Sequence, residues 1–409
     1  MKIAYVVPYV PSLIRTRPYN LINHLVTSGH AVSVFTLGSG KQDLDDVEAL
    51  HSKVKKIYYQ DHPIWHSLWN SVKALPSLRP LQTVYSWNSV LANQIVSLLN
   101  VPGEFDIVHV EHLRGSLYGQ YIKTKLPSIP IVWDSVDCIS YLFEQASAHS
   151  TGGFGKYVTR FDLGRTRQME GKLVSEFDHV LVTSATDRNA LLELTLPGSN
   201  PSPVTVLSNG VDLEYFHPNT NVQREPETLV FSGKMSYHAN VSMVKYLVRE
   251  IMPKVWMKRP NVRLIVVGKD PSAEVRAFGD DSRIEITGTV EDIRPYIWKA
   301  SCAVVPLVYG AGIQNKILEA MACGTAVVTT TKTLSSLQVT HGKELLIAMD
   351  ADDFSQNILK LLENEQLSMK IGHAGAEYVK KHHNWSTIVN QLISCYTSVL
   401  QDFGTTRSK

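Results

Sequence analysis

Residues 303–330 restrict the possible folds of this chain more than any other stretch. The apolar, β-branched run at 303–307 predicts a buried strand, and the glycines at 310 and 312 break it. A helical pattern follows at 313–323, Gly324 ends that helix, and a second apolar strand is expected at 326–330. Because two strands joined through a helix run parallel, this stretch predicts a βαβ unit and hence an α/β protein.

The same stretch places polar groups at the carboxyl end of its first strand. Gly310, Ala311 and Gly312 form the turn, and Lys316 and Glu319 lie three residues apart on one face of the helix. The free N–H groups of a first helical turn and the helix dipole both favour an anion at this position. These residues alone are equally consistent with a phosphate or nucleotide site and with an ordinary crossover whose charged side chains are solvated.

Short apolar strands alternate with helical patterns over both halves of the chain. In the first half we expect strands at residues 3–7, 31–37, 54–59, 106–110, 131–133, 179–183 and 204–207. In the second half we expect strands at residues 229–232, 262–267, 284–287, 302–307, 326–330 and 345–348, and helices at residues 241–258, 292–300, 313–323, 352–363 and 365–381. Two such halves predict an α/β fold with two Rossmann-like, doubly wound domains that face each other across a cleft.

A turn and a polar stretch divide the two halves. Residues 208–212 are typical of a turn, and residues 219–226 are polar and lack periodicity. We therefore predict a first domain over residues 1–205 and a second domain over residues 206–385. Residues 386–402 form an amphipathic pattern, and we expect this last helix to pack back on the first domain.

Length and charge limit the class of protein. A chain of 409 residues is long for a single core and suggests two domains. Its 44% hydrophobic and 19% charged residues are typical of a soluble globular protein, and its net charge of +2 arises from two nearly neutral halves. Neither half has the positive excess expected of a nucleic-acid-binding protein, so we predict no nucleic-acid partner.

Cysteine usage and apolar run lengths indicate the compartment. Cys138, Cys302, Cys323 and Cys395 are scattered without metal-site spacing, which favours reduced thiols over disulfides. No apolar run has the length of a membrane span, and the first residues lead directly into a strand without room for a signal peptide. We predict a cytoplasmic protein and leave an association with the inner face of the membrane open.

Five short motifs follow one another in the second half of the chain. They are Ser208-Asn209-Gly210-Val211-Asp212 with Phe216 and Pro218, Phe231-Ser232-Gly233-Lys234-Met235, Val266-Val267-Gly268, Gly288-Thr289-Val290-Glu291-Asp292, and Leu318-Glu319-Ala320-Met321-Ala322 with Gly324. In this order and spacing they resemble glycosyltransferase family 4, group 1. The resemblance implies the GT-B fold, transfer of a sugar from a nucleotide-diphosphate donor with retention of anomeric configuration, and no metal or other cofactor.

The resemblance also implies a donor site in the second domain. It places Glu319 on the ribose hydroxyls of the donor, and a carboxylate that accepts from two vicinal hydroxyls suits this position. It gives Lys234 a catalytic role, as a point charge beside the diphosphate where the family usually has arginine. The other donor-binding positions that it implies are Gly233, Gly268, Val290, Gly310, Gly312, Ile313, Gln314 and Asn315.

Two positions depart from the family pattern. Ala311 stands where the family has a glutamate near the donor sugar, so the group that binds the sugar hydroxyls stays open. Ala239 stands where the family has a lysine, the second of its two phosphate-binding cations. We hypothesise that Lys316, in the first turn of the helix after Gly312, replaces that cation as a catalytic residue.

In the first domain, the resemblance implies a histidine close to the donor sugar and the acceptor. Glu111 and His112 follow the strand at 106–110, so His112 is the candidate catalytic residue, and a solvent-exposed strand end is the alternative. Asp134 and Asp137 follow the next strand in the same way. Either could orient His112 or contact the acceptor, and a helix cap is an equal alternative for Asp137.

Three other segments are open to two interpretations. Arg15 and Arg17 lie in the first strand-to-helix loop, where they either contact phosphate or the acceptor or are simply solvated. Residues 43–46 superficially resemble the metal motif of a different glycosyltransferase fold, but no histidine is near and GT-B enzymes do not need that motif, so we interpret them as a solvated acidic loop. The helical spacing of the aromatic residues around Trp65 and Trp69 favours core packing. The alternatives are a cover over a lipid-linked acceptor and a peripheral membrane contact, which Lys73 and Arg79 nearby keep open.

We therefore predict a retaining, metal-independent glycosyltransferase that uses a nucleotide-sugar donor. The acceptor is a sugar, a lipid-linked molecule or a small molecule, in cell-envelope polysaccharide or glycolipid assembly or in small-molecule glycosylation. A catalytically inactive nucleotide-sugar-binding subunit is one alternative, suggested by Ala311 and Ala239. A GT-B sugar-nucleotide epimerase or a glycogen-type phosphorylase is the other.

Overall fold

The structure is a computed structural model and describes residues 1–149, 154–308, 314–335 and 337–407. The chain forms two compact units, which we call unit 1 and unit 2. Unit 1 consists of Met1–Ser208 with Ile388–Lys409, and unit 2 consists of Asn209–Thr387. Each unit contains its own parallel sheet with helices along the chain between the strands.

Unit 1 is built on a seven-stranded sheet in the order β3-β2-β1-β4-β5-β6-β7. Its strands are β1 Lys2–Val7, β2 Ala31–Gly38, β3 Lys56–Asp61, β4 Ile107–Glu111, β5 Ile131–Val136, β6 His179–Val182 and β7 Val204–Val206. Its helices up to residue 193 are α1 Thr16–Thr27, α2 Lys41–His51, α3 Ile64–Ala74, α4 Leu81–Tyr85, α5 Ser89–Leu99, α6 His112–Lys125, α7 Ile139–His149, α8 Phe154–Leu173 and α9 Ala185–Glu193. The central strand β4 is buried over its whole length, as a strand must be when helices cover both faces of a sheet.

Unit 2 is built on a six-stranded sheet in the order β10-β9-β8-β11-β12-β13. Its strands are β8 Thr228–Ser232, β9 Arg263–Val267, β10 Ile284–Gly288, β11 Cys302–Val305, β12 Val327–Thr330 and β13 Leu346–Ala348. Its helices are α10 His238–Tyr246, α11 Met252–Lys258, α12 Ala273–Ala277, α13 Arg294–Lys299, α14 Asn315–Ala322, α15 Ala351–Glu363 and α16 Glu365–His382. The last helix, α17 Trp385–Arg407, belongs to unit 1 from Ile388 onward.

Both sheets have the same topological feature, which decides where ligands can bind. In unit 1 the strand order reverses between β1 and β4, and in unit 2 it reverses between β8 and β11. At such a switch point the connections leave to opposite faces of the sheet and open a crevice at the carboxyl ends of the strands. The predicted class, α/β with two Rossmann-like doubly wound domains, is confirmed.

Two predicted elements differ from the structure. Residues 43–46 are not a loop but part of helix α2, where the Asp43 carboxylate accepts from the Ser39 N–H at 2.7 Å. The predicted single helix at 241–258 is divided by a π-helical turn at Leu247–Ile251. Pro253 follows this turn within the first residues of α11, and because proline lacks an N–H it interrupts the regular α-helical hydrogen bonding.

The prediction that Trp65 and Trp69 pack in the core is wrong. Their side chains lie on helix α3 and are 61% and 55% exposed. Trp87, from the same aromatic segment, does pack inside unit 1, with its ring 5.1 Å from that of Tyr118. Of the helices in the described ranges, none is both long and apolar enough to span a membrane.

Candidate active site

The loops that follow β8 and β9 lie against each other at the switch point of unit 2. The Gly233 N–H donates to the Val267 carbonyl at 3.0 Å, and the Met235 N–H donates to the Lys269 carbonyl at 2.8 Å. Gly233 and Gly268 have φ values of 149° and 146°, which side chains rarely allow. A Cβ on Gly268 would lie 1.8 Å from the Gly233 oxygen, so this contact requires glycine.

Helix α14 follows β11 and begins at the same edge of the sheet. Gln314 is the N-cap residue, and Gly324, with φ of 70°, allows the chain to turn after the C-cap Cys323. Gly310, Ala311, Gly312 and Ile313 lie outside the described residues. The structure therefore places only the Gln314 and Asn315 end of the predicted glycine turn.

Lys316 and Asn240 bind each other beside Gly233. The Lys316 ammonium donates to Asn240 Oδ1 at 2.9 Å and to Gln314 Oε1 at 3.4 Å. The Asn240 amide in turn donates to the Lys234 carbonyl at 2.8 Å, and its side chain is almost fully buried. Asn240 thus joins the first turn of α14 to the loop after β8. Asn240 directly follows Ala239, the position where the resembled family has its phosphate-binding lysine.

Burial changes the titration of both charged groups on this face of α14. Burial raises the pKa of Glu319 from 4.5 to about 7, and the nearby Lys316 charge opposes this shift. Burial lowers the pKa of Lys316 from 10.5 to about 8, and Glu319 opposes that shift. The attraction between the Lys316 ammonium and the Glu319 carboxylate does not offset the hydration free energy that each group loses on burial. A polar ligand can therefore still stabilise the charged form of either group.

The other predicted donor-binding residues have less restricted surroundings. The Lys234 ammonium lies 3.8 Å from the Asp270 carboxylate, and about half of each side chain is exposed. Val290 is partly buried and packs against the core of unit 2. The Lys234 backbone is therefore fixed by Asn240, whereas its ammonium is held only by a solvent-exposed ion pair.

A cavity of about 700 Å³ opens beside the ends of β9 and β10. Its walls include Asp270 from the loop after β9 and Thr287, Gly288 and Thr289 at the end of β10. Pockets for small ligands and cofactors commonly have volumes of about 300–1,000 Å³, so this space is large enough for a nucleoside.

Glu111 is the last residue of β4, at the switch point of unit 1, and its carboxylate is buried. It accepts from the Tyr5 hydroxyl at 2.5 Å and from the Tyr9 hydroxyl at 3.0 Å. Burial and the neighbouring Asp134 raise the pKa of Glu111 to about 7, while the Tyr5 hydrogen bond opposes the shift. Each carboxylate oxygen of Glu111 thus accepts from one tyrosine hydroxyl.

His112 begins helix α6 with a φ of 65°, a conformation that costs a non-glycine residue about 1–3 kcal/mol. Its Nδ1 accepts from the Arg114 N–H at 3.2 Å, which leaves the proton of the neutral ring on Nε2. Burial, together with the Arg114 charge, lowers the pKa of His112 to about 3. The imidazole is therefore a neutral hydrogen-bond donor through Nε2, and its side chain is not the fully solvated group of the alternative interpretation.

Arg17 and Asp134 form a buried ion pair. The Arg17 Nε and Nη2 atoms lie 2.9 Å and 2.8 Å from Asp134 Oδ2, so Arg17 is not a solvated loop residue. His109 Nε2 lies 3.8 Å from the same oxygen, and His109 Nδ1 is bound to the Tyr396 hydroxyl of α17 at 2.8 Å. Asp134 therefore faces Arg17 and His109, and it holds Arg17 in place from within the sheet.

Asp137 and Arg15 also have partners within unit 1. Asp137 accepts from the Thr183 hydroxyl at 3.2 Å, and burial together with Asp187 raises its pKa to about 7. The first N–H groups of α7 are bound instead by Glu170, at 2.7 Å and 3.1 Å, so the helix-cap alternative for Asp137 is wrong. Arg15 donates to the Val10 carbonyl at 3.0 Å and is 39% exposed.

The sequence predictions thus correspond to two separate clusters. In unit 2 the structure gathers Gly233, Gly268, Gln314 and Lys316, and it adds Asn240, which the sequence analysis missed because no motif contained it. In unit 1 it gathers Glu111, Arg17 and Asp134, and it adds Tyr5, Tyr9, His109 and Tyr396. A polar His109 inside an otherwise apolar strand was the available signal for the second set.

The raised pKa of Glu319 predicts a specific dependence of stability on pH. Between pH 4.5 and pH 7 the folded state keeps a proton that the unfolded state has lost, so this group destabilises the fold increasingly as the pH rises. Glu319→Gln keeps the shape but cannot ionise. We expect its melting temperature to rise relative to that of the wild type across this range, measured by differential scanning fluorimetry.

The matched control is Glu377→Gln, which alters an exposed glutamate on α16 of the same unit. Its melting temperature should follow that of the wild type at each pH. A difference between Glu319→Gln and wild type that stays constant from pH 4.5 to pH 7 would contradict the assigned burial of this carboxylate.

Two family models match the chain, one over most of unit 1 and the first residues of unit 2, the other within unit 2. The model described as Glycosyltransferase Family 4 matches residues 15–215, and the model described as Glycosyl transferases group 1 matches residues 226–364. The two matched ranges together contain most of the residues discussed above. They also agree with the family resemblance of the sequence motifs.

Relatives and solved structures match over nearly the whole chain. Phosphatidyl-myo-inositol mannosyltransferase from Mycobacterium tuberculosis is 24% identical over 422 residues, covering 98% of this chain and 97% of the relative. Sucrose-phosphate synthase from Thermosynechococcus elongatus superposes with a TM-score of 0.68 at 16% identity, over 98% of this chain and all of its own. Anabaena HepE in complex with UDP and glucose superposes with a TM-score of 0.67 at 15% identity, over 97% of this chain and 100% of that chain. These structures share the two-domain GT-B fold. The two family models show that the chain is a glycosyltransferase of family 4, group 1.

Proposed function

We propose that this protein transfers a glycosyl group from a nucleotide-diphosphate sugar to a hydroxyl group, with retention of anomeric configuration and without a metal ion. The observation that carries the proposal is the group formed by Lys316, Asn240 and Gly233 at the switch point of unit 2. The Lys316 ammonium is held by a hydrogen bond to Asn240 and lies beside the backbone of Gly233. An open cavity of about 700 Å³ lies beside the ends of β9 and β10.

The donor is bound by unit 2 in this proposal. The cavity beside β9 and β10 receives the nucleoside, Glu319 accepts from the ribose hydroxyls, and Lys316 faces the diphosphate. Without side chains, Gly233 and Gly268 let the loops after β8 and β9 pack against each other, and Gly233 then lies directly beside Asn240 and Lys316. The solved complexes of HepE with UDP and with UDP-glucose support a nucleotide-sugar donor for this chain as well.

Lys316 stabilises the leaving group as the bond between the sugar C1 and the phosphate oxygen breaks. The electron pair of that bond passes to the diphosphate, and a preorganised cation in a poorly hydrated place stabilises this growing charge more than a solvated one would. The acceptor oxygen bonds to C1 from the same face, and its proton passes to the departing phosphate oxygen. These steps need no metal ion to neutralise the leaving group.

Unit 1 contributes His112 to the proposal. Its neutral ring can donate from Nε2 to a hydroxyl of the transferred sugar or of the acceptor, but at a pKa of about 3 it is too weak a base to deprotonate one. The name of the mycobacterial relative, a phosphatidyl-myo-inositol mannosyltransferase, makes a lipid-linked acceptor the first class to test.

Substitution of Lys316 tests the role of the cation. We expect Lys316→Ala to lower the rate of donor hydrolysis or transfer by about 100- to 1,000-fold, the effect of removing one preorganised charge-stabilising group. Turnover is measured with a panel of nucleotide-diphosphate sugars, with Lys360→Ala on the exposed face of α15 as the control. Near-normal turnover of Lys316→Ala would refute this role.

The anomeric configuration of the first product tests the retaining mechanism. Proton NMR of the early product mixture should show the same anomeric configuration as in the donor sugar. The opposite anomer would overturn the retaining step, and an epimerised nucleotide sugar without transfer would show an epimerase. Tight donor binding without hydrolysis or transfer for the whole panel would instead support an inactive nucleotide-sugar-binding subunit.

A further inference from the structure

Helix α3 of unit 1 is oriented with its apolar face outward. The side chains that it buries against the unit are small or polar, Ser67 and Ala74, and the Asn70 amide donates to the Trp87 carbonyl at 2.9 Å. Its large apolar side chains are exposed, namely Ile64 63%, Trp65 61%, Leu68 58%, Trp69 55% and Val72 55%. Folding alone would favour the opposite orientation, because burying each such side chain contributes about 1.5–3 kcal/mol.

These exposed side chains form one continuous stripe. At 100° per residue they occupy an arc of about 140° around the helix axis, and the buried residues lie on the opposite side. Leu75 and Leu78 continue the stripe beyond the helix end and are 46% and 72% exposed. Phe161 of α8 extends it further, since Arg165, whose guanidinium lies 4.2 Å from the centre of the Phe161 ring, also donates to the Leu75 carbonyl.

The border of the stripe is cationic. The Lys73 ammonium lies 5.1 Å from the centre of the Trp69 ring, and Arg79 is exposed shortly after the helix. Between Asp61 and Glu104 the sequence contains neither aspartate nor glutamate, so this segment presents positive charge only. An apolar stripe with tryptophans and a purely basic border complements a surface that is apolar within and negatively charged at its rim.

We propose that α3 binds the surface of an anionic lipid bilayer, with Trp65, Leu68 and Trp69 inserted among the acyl chains at the level of the headgroups. Lys73 and Arg79 contact the lipid phosphates. Tryptophan suits this depth because its ring is apolar and its N–H can reach water or headgroups. The α3 surface consists of residues of unit 1 only, and none of them takes part in the proposed chemistry, so the inference does not depend on the proposed function.

Vesicle co-sedimentation of the full chain tests this inference. The probes are large vesicles of phosphatidylcholine with phosphatidylglycerol and vesicles of phosphatidylcholine alone. We expect the wild-type chain to bind the anionic vesicles, and we expect Trp65→Ser and Trp69→Ser each to lower the partition coefficient about tenfold. The double variant Lys73→Glu, Arg79→Glu should bind anionic vesicles no more strongly than the wild-type chain binds vesicles of pure phosphatidylcholine. Added salt should weaken the binding of the wild-type chain to anionic vesicles.

The control is Met257→Ser, which removes an apolar side chain that is more exposed than either tryptophan, at 77%, from α11 of unit 2. It should bind vesicles as the wild type does. Because the two tryptophans are exposed, Trp65→Ser and Trp69→Ser should each keep the wild-type melting temperature. A loss of vesicle binding by these variants would then not be due to unfolding. Absence of wild-type binding, or equal binding by the tryptophan variants, would overturn the inference. A wild-type dimer that Trp69→Ser converts to a monomer would also overturn it and would identify the stripe as a contact between two copies of the chain.

Discussion

The close contact between the backbones of Gly233 and Gly268 is the constraint on which the proposed donor site of unit 2 depends. Any side chain at Gly268 would collide with the Gly233 carbonyl, so the loops after β8 and β9 can meet only with glycine at this place. That contact sets the position of Asn240 and the Lys234 backbone, and Asn240 in turn sets the position of the Lys316 ammonium. The Lys316 ammonium comes from α14, whereas the family pattern has its cation at position 239 on α10. It nevertheless has a fixed place near the same loop. We propose that Lys316 replaces the cation that the family pattern has at position 239, and its position depends on these two glycines.

Unit 1 shows the same principle with carboxylates. Glu111 and Asp134 are buried at the ends of neighbouring strands, and each is held by specific partners, two tyrosine hydroxyls for Glu111 and the Arg17 guanidinium for Asp134. Buried polar groups with complete partners fix the positions of the groups around them, at the cost of desolvation. The last helix takes part, because its Tyr396 hydroxyl binds His109 beneath this edge of the sheet. The strand end that presents His112 is thus supported by residues from distant parts of the chain.

The sequence was sufficient for the fold class because strand and helix periods alternate clearly and glycines mark the turns that follow β8, β9 and α14. It was not sufficient for Asn240, since its role arises from a contact with Lys316 that no local pattern records. The spacing of Trp65, Leu68 and Trp69 correctly identified one face of a helix. A periodic pattern defines such a face but cannot tell whether it points to the core or to solvent, which is decided by what packs against the helix. Residues 43–46 are a second case in which contacts decide the structure. The Asp43 carboxylate accepts from the Ser39 N–H at the start of α2, and the neighbouring charged side chains can stay in water on a helix as well as in a loop.

The central claim is that the diphosphate of the donor binds beside Lys316 and the ribose beside Glu319. A crystal structure of the protein soaked with uridine diphosphate or guanosine diphosphate tests this most directly, because it locates both groups without requiring the acceptor or the sugar. The account predicts phosphate oxygens within hydrogen-bond distance of Lys316 Nζ and of the loop at Gly233, and ribose hydroxyls on the Glu319 carboxylate. A nucleotide bound elsewhere, with neither Lys316 nor Glu319 in contact with it, would contradict the account.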